Sequence, residues 1–202
     1  MADAIDWVSA TLPLTCDRPI NGGFVVCLDA DDRQEWTSTR RISVEGSYST
    51  TMQVRGGFGQ LEISGNPAKF LQGHNAFGPG SLLPLVARAM EVIAGQLGIE
   101  PSDGDRADWR GGAYTLSRVD VARMLDLGTP ERVRKALDVL HEVAKTKYQP
   151  ASRVKSGTVY IGQKSRRVSM KFYDKLGEMG AKGGHGLCAK LAPEWHLSLI
   201  HI

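Results

Sequence analysis

Residues 157–178 have the sequence GTVYIGQKSRRVSMKFYDKLGE. Apolar and β-branched residues fall into two short runs, which predict strands over residues 158–162 and 168–175. The basic, polar segment between the two runs predicts a turn. The stretch therefore predicts a β-hairpin with a positively charged tip.

The second predicted strand carries different chemistry on its two faces, because successive side chains of a strand point in opposite directions. The apolar face consists of Val168, Met170 and Phe172. The opposite face places the Tyr173 phenol between the ammonium groups of Lys171 and Lys175. A lysine on each side of a tyrosine adds nothing to core packing, so this face indicates a site for an anion such as a phosphodiester.

Positive charge is concentrated around this hairpin. Ten basic and two acidic residues lie between Lys145 and Lys182, whereas residues 1–144 contain 14 basic and 19 acidic residues. One interpretation is a solvated basic hairpin, which is common on protein surfaces. The other is a footprint for the phosphate backbone of a nucleic acid. The charge distribution alone leaves both interpretations open.

The composition is that of an ordinary soluble globular protein. A chain of 202 residues is long enough for one domain with a sizeable core. Its three cysteines have no CxxC spacing, which favours reduced thiols over disulfides or a zinc site. The N-terminus lacks the features of a signal peptide, and no apolar segment is long enough to span a membrane. We therefore expect a cytoplasmic protein without a membrane partner.

The order of the predicted elements indicates an α+β fold. Short apolar runs with alternating residues predict a β-meander over the N-terminal third of the chain. Ser81 is placed to cap a first main helix that ends near Gly98, and Thr129 with Pro130 is placed to begin a second. A polar linker is predicted over residues 100–112. We expect a mostly antiparallel β-sheet with the two main helices packed on it.

The last six residues, 197–202, have the sequence LSLIHI and allow two interpretations. Their pattern fits a terminal strand, and it also matches the translation of a transposon-end adapter used in DNA library preparation. We interpret them as the adapter, which leaves a single domain over residues 1–196 that is incomplete at its C-terminus. His196 and His201 are accordingly not counted as candidate ligands.

Three polar side chains on separate predicted elements are candidate metal ligands. Glu62 and Asp120 lie on predicted strands, opposite their apolar neighbours, and His74 lies in a glycine-containing loop. Two carboxylates and an imidazole can hold a divalent cation, and such an oxygen-rich set favours Mg²⁺ or Mn²⁺. The alternative is that the carboxylates are merely solvated and that His74 is a surface residue. The spacing alone does not decide between them.

One segment resembles a known family of replication proteins. Residues 66–78, NPAKFLQGHNAFG, are similar to the PAK-LQGHN-FG segment in the gene II replication proteins of filamentous phages. Residues 5–14, IDWVSATLPL, and residues 117–120, SRVD, resemble the same family. The LQGHN segment is the most specific of these matches.

A second resemblance involves the hairpin itself. Residues 160–162, Ser165 and residues 172–178 resemble the YFG…S…YNK…E pattern of plasmid rolling-circle initiators. The two resemblances imply a replication-initiator nickase fold and a site-specific DNA nickase that starts rolling-circle replication. They imply that Tyr173 is the nucleophile, and Lys171 and Lys175 are then placed to stabilise its phenolate.

The resemblances also imply a cofactor and partners. A Mg²⁺ or Mn²⁺ ion held by some of Glu62, His74 and Asp120 would polarise a phosphate oxygen. Contacts to the DNA backbone are expected from Lys164, Arg166, Arg167 and Arg118. The implied partners are a phage or plasmid replication origin together with the helicase, polymerase and single-strand-binding protein of a bacterial host.

Two other functions fit the same residues. A non-catalytic module would bind an origin or single-stranded DNA through the basic surface. An RNA-binding protein with a split β-α-β sheet is a weaker alternative, because the chain has no aromatic-rich signature strand.

The chain also departs from the related nickases in its candidate metal ligands. Those nickases hold their metal with two closely spaced histidines, whereas this sequence offers His74.

Overall fold

The computed structural model describes residues 3–16, 19–20, 23–75, 78–144, 151–153, 157–165, 167–175, 177–178 and 197–201. The chain divides into two compact units. We call Ile5–Asn75 with Ser81–Val119 the N-terminal unit, and Met1–Ala4 with Ala76–Gly80 and Asp120–Ile202 the C-terminal unit.

The N-terminal unit is built on an antiparallel sheet. Its strands are β1 (Asp3–Pro13), β2 (Phe24–Leu28), β3 (Gln34–Thr39), β4 (Ile42–Glu45), β5 (Thr51–Gly57), β6 (Gln60–Gly65) and β7 (Thr115–Asp126), of which β1 begins and β7 ends in the C-terminal unit. The order in the main sheet is β4-β5-β6-β1-β7, while β2 and β3 pair as a separate two-stranded sheet. The predicted meander is therefore present, with β2 and β3 set apart from it.

The described part of the N-terminal unit has three α-helices and a short 3-10 helix over Ser47–Ser49. The α-helices are α1 (Pro67–Gln72), α2 (Leu82–Gln96) and α3 (Asp103–Gly111). The first main helix was predicted correctly, since α2 follows Ser81 at the N-cap position. The linker predicted over residues 100–112 is wrong, because these residues contain α3. Ser102 and Asp105 form a capping box that begins this helix, with each side chain accepting a hydrogen bond from the backbone of the other.

Alternation along the strands builds the core of the N-terminal unit. Val8 and Leu12 on β1 and Leu61 on β6 are fully buried, whereas Ser9 and Glu62 lie on the opposite face and are half-buried. Helix α2 contributes fully buried side chains to the same core. Trp109 of α3 is also fully buried, and its indole Nε1 donates a hydrogen bond to the Pro13 carbonyl at 2.8 Å.

The hairpin of β2 and β3 exposes apolar side chains. Phe24 and Trp36 are each about half exposed, as are Val25, Val26 and Leu28. The turn between the strands is held by Asp29, whose Oδ1 accepts hydrogen bonds from the Asp31 and Arg33 backbone amides at 2.8 and 2.9 Å. The turn is polar, and the apolar strand before it is exposed.

Within its described residues, the C-terminal unit contains the end of β7, one long helix and four further strands. These elements are α4 (Pro130–Val143), β8 (Ala151–Arg153), β9 (Val159–Ile161), β10 (Met170–Asp174) and β11 (Leu197–His201). Neighbouring strands are antiparallel in the order β7-β11-β10-β9-β8. The predicted hairpin is confirmed as β9 and β10, and the second main helix as α4. The strand pattern of LSLIHI is confirmed as β11, while its origin as an adapter stays a prediction.

Helix α4 covers one face of the C-terminal sheet. Val133 and Leu137 of α4 form a buried cluster with Val159, Ile161 and Phe172, and Met170 packs against it. Thr129 caps the helix by accepting a hydrogen bond from the Arg132 amide at 3.3 Å, and Pro130 occupies the first turn, as predicted. Val168 was predicted to share this apolar face, but β10 begins at Met170 and Val168 is 46% exposed.

The fold class is α+β with mostly antiparallel sheets, as the sequence predicted. Within the described part of the chain, no helix combines the length and apolar character needed to cross a membrane.

Candidate functional site

Tyr173 lies on β10 between two ammonium groups, as predicted. Lys171 Nζ is 4.3 Å from the centroid of the tyrosine ring, and Lys175 Nζ is 5.8 Å from it. Both distances are in the range of cation–π contacts. Tyr173 is 6% exposed and packs with Ala122 and the partly buried Met124. Tyr173 therefore combines apolar packing with two nearby cations.

The strand pattern explains this placement. Phe172 points into the core beneath α4, so Lys171 and Tyr173 point to the other face of the sheet. In the register between β10 and β9, Lys171 lies opposite Tyr160, and Tyr173 lies opposite Leu199 of β11. The tyrosine is therefore on an inner strand of the sheet of the C-terminal unit.

Lys175 is held by a carboxylate just after β10. The Asp174 Oδ1 accepts a hydrogen bond from the Gly177 amide at 3.0 Å, which turns the chain into a short helical segment. This turn brings Glu178 back to Lys175, and the Nζ–Oε2 distance is 2.9 Å. Lys175 is 4% exposed. An ammonium group this well buried needs a carboxylate partner, and Glu178 supplies one.

The turn between β9 and β10 presents basic side chains. Gly162 has a φ of 68°, and its carbonyl accepts a hydrogen bond from the Ser165 amide at 2.8 Å. The Ser165 hydroxyl in turn accepts hydrogen bonds from the Arg167 and Val168 amides, both at 3.2 Å. This network fixes the turn, from which Lys164 and Arg167 are exposed. Arg166, also predicted to contact DNA, lies outside the described residues.

Two predicted metal ligands belong to the N-terminal unit, where each has protein partners. Glu62 forms a bidentate ion pair with Arg55, with distances of 2.6 Å to Nε and 2.9 Å to Nη2. Arg41 lies 3.7 Å from the same carboxylate. His74 is 9% exposed, and its Nδ1 is 3.3 Å from the Gln72 amide nitrogen. Burial lowers the pKa of His74, which favours the neutral imidazole.

The third predicted ligand, Asp120, is half-buried on β7 in the C-terminal unit. Across the ranges that the structure describes, no three histidine, cysteine, aspartate or glutamate side chains come together as a group able to hold a metal ion. Glu62 and His74 belong to the N-terminal unit and Asp120 to the C-terminal unit, and Glu62 is paired with Arg55. The use of Mg²⁺ or Mn²⁺ stays a prediction.

Arg118 was predicted to contact DNA and lies at the start of β7. It is exposed, and its guanidinium carbon is 5.3 Å from the centroid of the Trp7 ring on β1. The indole Nε1 of Trp7 donates a hydrogen bond to the Ser9 hydroxyl at 3.2 Å. The contact between Arg118 and Trp7 places the guanidinium group over an aromatic ring, which stabilises the planar cation.

Sequence reasoning missed the arginines next to Glu62. Along β5, Met52 and Val54 are buried. Because side chains of a strand alternate between its faces, Arg55 is predicted to face away from the core. The pairing of Arg55 with Glu62 depends on the register between β5 and β6. That register is set by a tight turn at Phe58 and Gly59, both of which have positive φ angles.

These features define the chain as an α+β protein with a lysine-flanked tyrosine on an inner strand of an antiparallel sheet. The chain belongs to the family of phage replication-associated proteins of the gene II type, whose N-terminal region matches residues 4–193. It is 35% identical over 191 residues to the replication-associated protein of this type from Enterobacteria phage I2-2. The alignment covers 91% of this chain and 55% of the phage protein, so the chain spans about half the length of this curated relative. The predicted relationship to phage gene II-type replication initiators is confirmed.

Proposed function

We propose that the chain is the DNA-nicking part of a rolling-circle replication initiator and that Tyr173 is its nucleophile. The observation that carries this proposal is the position of the phenol between Lys171 and Lys175, in a chain of the gene II replication protein family. The substrate is one strand of a phage or plasmid replication origin. The reaction yields a protein–DNA link through a 5′-phosphotyrosine and a free 3′-hydroxyl.

The bond changes balance without an added oxidant or reductant. The Tyr173 oxygen forms a bond to phosphorus while the bond between phosphorus and the 3′-oxygen breaks. The phenol proton leaves to solvent, and the departing 3′-oxygen takes up a proton. The phosphotyrosine link conserves the phosphodiester, so a later attack by a 3′-hydroxyl on the same phosphorus rejoins the strand.

The two lysines supply the help that a phenol needs at neutral pH. A phenol has an ordinary pKa of about 10 and attacks poorly while it is protonated. Ammonium groups next to the ring favour the phenolate and the negative charge that develops on the phosphate oxygens. The Glu178 carboxylate holds Lys175 in place, while Lys171 is the closer of the two cations.

The proposal extends to the DNA contacts and to partners. The exposed Lys164 and Arg167 of the hairpin turn and the exposed Arg118 are available to phosphates of the DNA backbone. A Mg²⁺ or Mn²⁺ ion, when bound, would supply Lewis-acid polarisation of a phosphate oxygen. The host helicase, polymerase and single-strand-binding protein, and the bacterial cytoplasm as the place of action, belong to the same proposal.

The test is covalent capture. The protein is incubated with Mg²⁺ and a supercoiled plasmid that carries a filamentous-phage origin, and the products are separated under denaturing conditions. We expect nicked circles with attached protein, and we expect Tyr173→Phe to form no adduct. Tyr160→Phe is the matched control, because Tyr160 lies on the neighbouring strand and is half-buried. Adduct formation by Tyr173→Phe at the wild-type level would show that the nucleophile is another residue.

The burial of Tyr173 favours a second candidate function. A phosphodiester must reach the phenol, and a side chain that is 6% exposed has to become more accessible first. A non-catalytic module that binds an origin or single-stranded DNA needs no such access. The capture experiment separates the two functions, since such a module would retard the plasmid in a native gel without nicking it.

A further inference from the structure

The N-terminal sheet has a polar face whose side chains lie in two rows across four strands. In the first row, the register places Ser43 opposite Gln53, Gln53 opposite Ser64, and Ser64 opposite Ser9. Hydrogen bonds join this row, from Gln53 Nε2 to Ser43 Oγ at 2.6 Å and between the Ser9 and Ser64 hydroxyls at 2.8 Å. The first row thus consists of two hydrogen-bonded pairs of hydroxyl and amide groups.

The second row contains charge. Arg55 lies opposite Glu62, and Glu62 lies opposite Thr11. Both carboxylate oxygens of Glu62 accept hydrogen bonds from Arg55, at 2.6 and 2.9 Å. The guanidinium of Arg41 approaches from the loop before β4 to 3.7 Å, which is longer than a hydrogen bond. Glu62 therefore holds Arg55 firmly and Arg41 loosely.

A concave pocket lies over these two rows. It is lined mainly by hydroxyl-bearing residues, by the Gln53 amide and by Arg41 and Glu62; its hydroxyl-bearing residues are Ser9, Thr11, Ser64 and Ser117. Ser117 is exposed, and its hydroxyl donates a hydrogen bond to the Ser9 carbonyl at 3.2 Å. All of these residues belong to the N-terminal unit.

We propose that this pocket binds a phosphate of the DNA backbone, with Arg41 as its cation and the hydroxyl groups as further donors. The Glu62–Arg55 pair forms the fixed side of the pocket, so Glu62 orients arginines here and does not ligate a metal. This inference rests on the proposed function in one respect only, which is that the natural anion is DNA. It assigns a second contact region, separate from the basic hairpin of the C-terminal unit.

The donor chemistry selects an anion over a cation. A guanidinium group has five N–H donors and no acceptor, and it matches phosphate oxygens in a planar fork. Serine and threonine hydroxyls rotate to donate to whichever oxygen is present. A divalent cation in this pocket would lie beside two guanidinium groups and would have to displace Arg55 from Glu62, so it would meet like charges without a free carboxylate.

The first experiment measures binding to a fluorescein-labelled dT20 single strand by anisotropy between 50 and 200 mM salt. We expect Arg41→Ala to weaken binding roughly three- to tenfold and to lower the salt slope by about 0.7, the value for one phosphate contact on a single strand. Arg88→Ala is the matched control, because Arg88 is an exposed arginine on α2 of the same unit. Equal losses in Arg41→Ala and Arg88→Ala would reduce the effect to net charge and overturn the proposal.

A second variant distinguishes the loss of a phosphate contact from a folding defect in Arg41→Ala. Arg41→Lys keeps the charge but loses the planar fork, so we expect an unchanged salt slope with weaker binding than the wild type. Binding of Arg41→Lys at the wild-type level would contradict a geometric phosphate site.

The role of Glu62 has its own readout. Mn²⁺ titrations followed by electron paramagnetic resonance should give the same affinity for Glu62→Gln and for wild type. A loss of Mn²⁺ affinity in Glu62→Gln would make Glu62 a metal ligand and overturn this assignment. Failure of the proposed nicking activity would appear instead as the absence of a Tyr173 adduct, and the dT20 result would stand independently.

Discussion

Glu178→Gln is the substitution that tests the support of the tyrosine site most directly. The Gln side chain keeps the shape of Glu178 but removes the charge that lies 2.9 Å from Lys175 Nζ. The Lys175 side chain is 5% exposed and that of Glu178 is 26% exposed. Removing one partner of a fully buried pair costs about 3–5 kcal/mol, whereas an exposed pair is worth about 0–1 kcal/mol. Because water reaches Glu178 in part, we expect a loss of about 2 kcal/mol.

Urea denaturation at pH 7.5 measures this loss. With a urea slope of about 2 kcal/mol per molar, a destabilisation of about 2 kcal/mol shifts the midpoint by about 1 M. Glu131→Gln is the matched control. Glu131 also pairs with a residue three positions away, Arg134, at 3.2 Å, but both side chains are well exposed. We expect a clearly smaller midpoint shift for this control, whose exposed carboxylate also hydrogen-bonds with Thr129 at the start of α4.

A double-mutant cycle completes the test. Lys175→Met removes the ammonium group and keeps an apolar stem of similar length, so Glu178→Gln should cost far less in that background. The reasoning is refuted if Glu178→Gln shifts the midpoint no more than Glu131→Gln does. It is also refuted if the cost of Glu178→Gln is unchanged when Lys175 is already Met.

Three further predictions concern the stability of the N-terminal unit. Asp105→Asn should lower the free energy of unfolding by about 2–3 kcal/mol in urea titrations, because the Asp105 carboxylate accepts four hydrogen bonds and an amide group has one oxygen fewer; an unchanged midpoint would contradict it. Burial lowers the pKa of His74, so the unfolded chain binds its proton more readily, and stability should fall as the pH drops below about 6.5. The melting temperature of His74→Gln should depend less on pH between 7.5 and 5.5 than that of wild type, and parallel profiles would refute this. A Cβ at Gly46 would overlap the ring and carbonyl of Phe70, so Gly46→Ala should destabilise the protein by about 1–3 kcal/mol. A Cβ at Gly95 in α2 would meet open space. Gly95→Ala should therefore stabilise the protein by about 0.5–1 kcal/mol.

Local signals made part of the fold predictable from sequence. The alternation predicted the two faces of β10 correctly over residues 170–174, and the adjacent basic segment indicated the turn. Thr129 and Pro130 marked the start of α4, because a capping hydroxyl followed by proline suits the first turn of a helix. These features depend on a few consecutive residues, so no knowledge of distant pairing was needed.

Other features depend on contacts between distant residues. Helix α3 has few apolar residues, and its burial rests on Trp109, whose indole reaches the Pro13 carbonyl. The partners of Glu62 could not be predicted either, because they too depend on contacts between residues that are distant in sequence. Sequence spacing gave a carboxylate on the outer face of a strand, but only the register of β5 with β6 brings Arg55 to it.

The candidate site was predicted unevenly. The position of Lys171 beside Tyr173 follows from strand alternation alone. Lys175 lies just beyond β10, where Asp174 caps the turn that brings Glu178 back to it. The proposed metal ligands come from three separate segments, and strand alternation does not place separate segments relative to one another.

The tryptophans of the N-terminal unit differ in burial, so their fluorescence can be used to follow the unfolding of this unit. Trp109 is fully buried, Trp36 on the exposed hairpin is 51% exposed, and Trp7 is stacked under Arg118. Indole emission shifts to longer wavelength when the ring meets water, so Trp109 should emit at shorter wavelength than Trp36 and should shift on unfolding. The sequence contains one more tryptophan, Trp195. In a Trp195→Phe variant all indole fluorescence would come from the N-terminal unit, so its unfolding could be followed separately from the circular dichroism of the whole chain.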